Sequence, residues 1–137
     1  MRVGVVVVSH YRVGEEMLQA VRLIVPNAPD FRAVAIGPAM SVDQIRSAIA
    51  KELDAVDRGA GALILTDMFG GTPSNVALSF LGERPVEVVT GVNLPMLIKL
   101  ASWGEGKTLA EVATTMKEYG RRNISVASEL LPAERAK

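Results

Sequence analysis

His10 is the only histidine in the chain, and it follows Ser9 at the end of a dense run of valines. An imidazole carried to the rim of a sheet becomes an oriented nucleophile when a carboxylate accepts its Nδ1 proton, which fixes the tautomer and leaves Nε2 neutral. Asp67 is the candidate carboxylate, because it too stands at the end of an apolar run and is followed by Gly70, Gly71 and Thr72. A glycine pair and a hydroxyl ahead of a helix offer free amides, an O–H and the positive end of a helix dipole, which suit the equatorial oxygens of a phosphoryl group. His10 and Asp67 are therefore read as a catalytic pair, with Ser9, Gly70, Gly71 and Thr72 as phosphate-binding candidates. A lone histidine at a strand end is more often a surface or capping residue, and glycine pairs often only make turns. The convergence of separate segments on one edge favours chemistry.

Such a convergence requires a particular scaffold. Residues 3–8 are apolar on both faces, as a buried parallel strand is. Met17, Leu18, Val21 and Ile24 then fall at helical spacing until Pro26 and Pro29. Residues 31–36 form a second strand closed by Gly37 and Pro38, and Ser41 to Gln44 has the form of a capping box for a helix carrying Ile45, Ile49, Leu53 and Val56 inward. Residues 62–65 make a third strand, and Pro73 suits the first turn of the helix behind it. A fourth strand covers 86–89, a helix follows Pro95, and Thr108 to Glu111 opens another that ends near Gly120. Residues 124–127 alternate as an edge strand does. The expectation is an α/β three-layer sandwich on a mostly parallel sheet, with four parallel strands in the order 2-1-3-4 and right-handed crossovers. A short C-terminal strand at the edge of the sheet would complete it. One domain occupies 1–130, with a mobile tail over 131–137. Ligands of such sheets gather at the carboxyl ends of the strands, where His10 and Asp67 lie.

Composition removes other classes. Lysine plus arginine number 15 and aspartate plus glutamate 15, so no net field favours nucleic acid or an acidic membrane. With no cysteine and one histidine, neither a thiolate nor a multi-histidine metal site can form within one chain, and no metal or cofactor is expected. The apolar run at the N-terminus is far shorter than the roughly 20 residues that cross a bilayer, and it lacks the features of a secretion signal. The chain reads as soluble and intracellular. Residues 101–108 end in Gly106-Lys107-Thr108 and resemble a P-loop, but that motif must follow a strand, and helical spacing precedes it here. No dinucleotide fingerprint follows the first strand, and no nucleophile elbow is present. A receiver domain phosphorylated on Asp67 would expect an acidic pair where Ser9 and His10 stand.

At these residues the sequence resembles the enzyme IIA component of the mannose family of the phosphoenolpyruvate-dependent sugar phosphotransferase system. The resemblance runs from Arg2 to about Val126. It is carried by Val-Val-Ser-His ending at His10, Leu-Thr-Asp-Met-Phe-Gly-Gly-Thr-Pro-Ser-Asn ending at Asn75, and Val-Thr-Gly-Val-Asn-Leu-Pro-Met-Leu ending at Leu97. It implies a cytoplasmic phosphocarrier in which His10 carries the phosphoryl group, Asp67 holds its ring, and Thr72 with the preceding glycines lines the phosphate site. Phe69, Asn93, Leu94, Pro95 and Met96 would lie on the rim where partners dock. The donor would be the histidine-containing phosphocarrier protein and the acceptor an enzyme IIB component, expected as a separate protein. The resemblance also implies a homodimer that exchanges its C-terminal strand, paired antiparallel to the otherwise parallel sheet. A regulatory protein that reports sugar or energy status through the same histidine is the alternative, as is the phosphotransfer subunit of dihydroxyacetone kinase.

Overall fold

β1 (Gly4–His10) is an inner strand of the sheet, and its valines explain the layering of the molecule. Successive strand side chains point to opposite faces. Accordingly Val5 and Val7 enter one core while Val6 and Val8 enter the other, all at 2% exposure or less. The computed structural model describes residues 1–132. Along the chain, β1 is followed by α1 (Val13–Ile24), β2 (Arg32–Ile36), α2 (Val42–Val56), β3 (Ala62–Thr66), α3 (Gly71–Leu78), β4 (Val86–Thr90), α4 (Leu94–Trp103) and α5 (Leu109–Arg122). The four strands are all parallel, in the order β2-β1-β3-β4.

Helices cover both faces, as a parallel sheet apolar on both sides demands. Leu18 and Val21 of α1, Leu97 and Leu100 of α4 and Val112 and Met116 of α5 close over Val5, Val7, Leu63 and Leu65. On the opposite face Ile45, Ile49 and Leu53 of α2 and Val76 and Ala77 of α3 pack on Val6, Val8 and Ile64. The capping boxes expected at Ser41 and Thr108 are formed: the Gln44 amide donates to Ser41 Oγ at 3.1 Å and the Glu111 amide to Thr108 Oγ1 at 3.2 Å. Thr108 thus opens α5, and the stretch resembling a P-loop leaves a helix rather than a strand.

Within the single chain the expected C-terminal strand is not formed. Residues 124–126 carry no regular structure, and Ala127–Leu130 is a 3-10 turn. An extended segment becomes a strand only by bonding to a neighbour, and Ile124, at 77% exposure, and Val126 instead face solvent. Among the described residues the sheet has no antiparallel member. The mobile tail expected for 131–137 lies, from residue 133 onward, outside the described residues.

Ile49 is wholly buried between α2 and the sheet. Ile49→Ala is expected to lower unfolding free energy by about 2–5 kcal/mol, seen as an earlier urea midpoint with an unchanged slope.

Candidate functional site

Parallel pairing of β1 with β3 in the register Val8↔Thr66 leaves His10 and Asp67 just beyond the last paired residues, side by side at the carboxyl edge. One carboxylate oxygen then holds the histidine twice. Asp67 Oδ2 accepts the His10 backbone N–H at 2.9 Å and lies 2.8 Å from ring Nδ1. Its other oxygen accepts the Met68 amide at 3.0 Å. With Nδ1 donating, the ring presents Nε2 as its free nitrogen. The imidazole remains 46% exposed and Asp67 only 16%, so the ring meets solvent while its carboxylate partner is sheltered.

Partial burial pushes the Asp67 carboxyl up, but hydrogen bonds from the His10 backbone and ring, with charge attraction to that ring, outweigh it. The group is held below the ordinary carboxylate range and is ionised at neutral pH.

The loop after β3 completes the site. Gly70 and Gly71 adopt φ of +86° and +82°, a left-handed region that side chains disfavour. A Cβ on Gly71 would stand 3.4 Å from both Cε1 and Nε2 of His10. Glycine therefore lets the backbone come against His10 Nε2. Gly70 precedes α3, whose first-turn amides have no intrahelical partner and point out of its N-terminus. Thr72 lines a cleft of about 260 Å³ with His10, Tyr11, Ile36, Gly37, Pro38, Met40 and Ile45. This arrangement of a free ring nitrogen, unpaired amides and a hydroxyl can accept a tetrahedral anion. The described residues contain no cluster of groups able to hold a metal ion.

The structure thus brings His10, Asp67, Gly71 and Thr72 together, and three sequence expectations change. Ser9, expected on the phosphate, lies on the opposite face of β1 from His10, because adjacent strand residues alternate. It is 1% exposed, accepts the Gly14 amide at 2.8 Å and donates to the Tyr11 carbonyl at 3.2 Å. Met96, expected on the partner-facing rim, is 1% exposed and packs into the α1/α4/α5 core. Asn93 turns both polar atoms inward: its Oδ1 accepts the Met96 amide at 3.2 Å, and its Nδ2 donates to the Gly120 carbonyl at 3.1 Å. Phe69 is 73% exposed, and Leu94 and Pro95 are half-buried.

Gly37, Pro38 and Met40 were not singled out as site residues, although the strand order held the signal. β2 neighbours β1 in the register His10↔Ile36, so the loop after Ile36 must pass beside the histidine. Tyr11 and Met68 were missed as well. Each directly follows a site residue at a strand end and is largely exposed.

Comparison with known proteins points to one family. The model of the PTS system fructose IIA component family matches residues 4–117. The chain is 31% identical over 128 residues to the sorbose-specific EIIA component of Lacticaseibacillus casei, covering 91% of each chain. It is 39% identical over 70 residues to the fructose-specific EIIA component of Bacillus subtilis; that match covers 50% of this chain and 48% of the relative's length. Among solved structures, the mannose/sorbose-specific IIA subunit from Enterococcus faecalis superposes with a TM-score of 0.83 at 29% identity, covering 92% of this chain and 95% of that one.

Lowering the Asp67 pKa on folding has a defined sign. Its contribution to stability is complete above the unfolded value near 4 and is lost as pH falls through the depressed folded value. Acid unfolding monitored by circular dichroism is therefore expected to show a low-pH loss of stability that Asp67→Asn reduces, with little change in slope above about pH 5.

Proposed function

Given that the chain belongs to the PTS fructose and mannose IIA family, we propose that this phosphotransferase component carries its phosphoryl group on His10 Nε2. In the proposed step Nε2 attacks, in line, the phosphorus of a phosphohistidine on the histidine-containing phosphocarrier protein. A P–N bond forms to His10 as the P–N bond to the donor ring breaks, and the donor nitrogen keeps the electron pair. The Nδ1 proton stays between His10 and Asp67. The newly phosphorylated ring then carries positive charge beside the carboxylate. Reversal of the same step onto a histidine of an enzyme IIB component discharges the carrier.

The observation that carries this reading is the 2.8 Å contact of Asp67 with Nδ1, which leaves Nε2 against Gly71 at the mouth of an open cleft. Positioning and charge stabilisation are most of what phosphoryl transfer requires. Amides of the α3 first turn and the Thr72 hydroxyl supply donors to the equatorial oxygens. Phe69, Leu94 and Pro95 form the accessible part of the partner-docking rim. The protein works in the cytoplasm in this reading, consistent with the lack of any membrane-spanning helix among the described residues. It does so as a homodimer.

Incubation with phosphoenolpyruvate, enzyme I and the phosphocarrier protein is expected to add a single acid-labile phosphate by intact mass, absent in His10→Ala. Asp67→Asn should fold and slow the transfer by about 10²-fold, the scale of losing a proton-positioning partner. Labelling that persists in His10→Ala would remove the assignment.

A further inference from the structure

α1 begins without a cap of its own. Its N-cap residue, Arg12, offers no side-chain hydrogen bond to the first turn. The missing acceptor comes instead from the end of β1, where Ser9 Oγ receives the Gly14 amide at 2.8 Å. The same hydroxyl donates to the Tyr11 carbonyl at 3.2 Å. Tyr11 is the only non-glycine residue with positive φ among the described residues, at +46°. Its N–H is tied to the Ile36 carbonyl at 2.9 Å. The residue directly after His10 is thus held in a left-handed conformation that ordinary L-residues disfavour, pinned at its N–H by β2 and at its carbonyl by Ser9.

Strained backbone persists only where its surroundings over-determine it. Here the surroundings are few and identifiable. If the Ser9 clamp is released, Tyr11 can relax toward negative φ, and the peptide joining it to His10 must rotate. That rotation alters the His10 backbone next to the N–H that bonds Asp67 Oδ2, and with it the ring geometry set by the same oxygen.

We infer that Ser9 is a positioning residue: its buried hydroxyl, bonded to the Gly14 amide and the Tyr11 carbonyl, holds Tyr11 in its left-handed turn and so keeps the His10 ring aligned for transfer. It touches neither the phosphoryl group nor the partner. The inference about rate rests on the carrier reading above, whereas the inference about ring alignment does not.

Coupling between positions 9 and 11 separates this role from simple support of the fold. Asparagine tolerates the left-handed region better than tyrosine, so Tyr11→Asn should make the clamp dispensable. Ser9→Ala is expected to slow phosphorylation from the phosphorylated phosphocarrier protein roughly 10- to 100-fold, the range for a misplaced reacting group. In the Tyr11→Asn background the same change should cost about twofold or less. Equal losses in both backgrounds, or no loss in either while the wild type is phosphorylated, would overturn the inference. Ser9→Cys retains the packing with a weak S–H donor and takes the place of Ser9→Ala should that variant not fold; a wild-type rate would again overturn it. Nitrogen-15 spectra of the His10 ring give a readout independent of transfer. The wild type should show one tautomer with Nδ1 protonated, and the Ser9 variant a mixture; unchanged ring signals would refute the alignment role. A wild type that accepts no phosphate would count against the carrier reading, leaving these spectra to decide the role of Ser9.

Discussion

One oxygen atom, Asp67 Oδ2, does most to define the reactive edge of this protein. It binds the His10 main chain and the His10 ring at once, at 2.9 and 2.8 Å. A carboxylate bonded only to the ring would leave the imidazole free to swing with its backbone. Bonded to both, it fixes the tautomer and the direction of the ring relative to the sheet. The rest of the architecture makes that contact available. The register of β1 with β3 ends at Val8↔Thr66, which sets Asp67, one residue past the pairing, beside His10, two residues past it.

The sheet is also why the site is small and still complete. Three loops, after β1, β2 and β3, meet over one edge because those strands are neighbours in the order β2-β1-β3. Each gives something different: the strained Tyr11 that follows His10 from the first, a cleft wall from the second, Asp67 and the α3 amides from the third. Rigid strands buried on both faces hold these loops at fixed spacing, as the chemistry of orientation requires.

Most of this scaffold was legible in the sequence because its signals are local. The valine run, the boxes at Ser41 and Thr108, and the glycine pair before Pro73 each announce an element within a few residues. What escaped depends on partners far away along the chain. Residues 124–127 alternate as a strand does, but alternation cannot supply a neighbour to pair with. Met96 sits in a motif shared with surface residues, and only the close approach of α4 to α5 shows it buried: a Cβ on Gly120 would stand 2.6 Å from its sulfur. Ser9 looked like part of the site because it precedes His10. Strand alternation sends it to the other face, where it caps a helix whose own N-terminus carries no cap.

The walls of the cleft beside His10 are aliphatic, aromatic, glycine or hydroxyl in character, and none bears a cationic head. Dipoles and a lone carboxylate would then be all that greets an incoming anion. Such a basin has little grip on free phosphate or nucleotides dissolved around it, since a full positive charge is what usually traps them. On the proposed carrier reading, selectivity would rest with the macromolecule that delivers the group rather than with a fixed charge in the cleft.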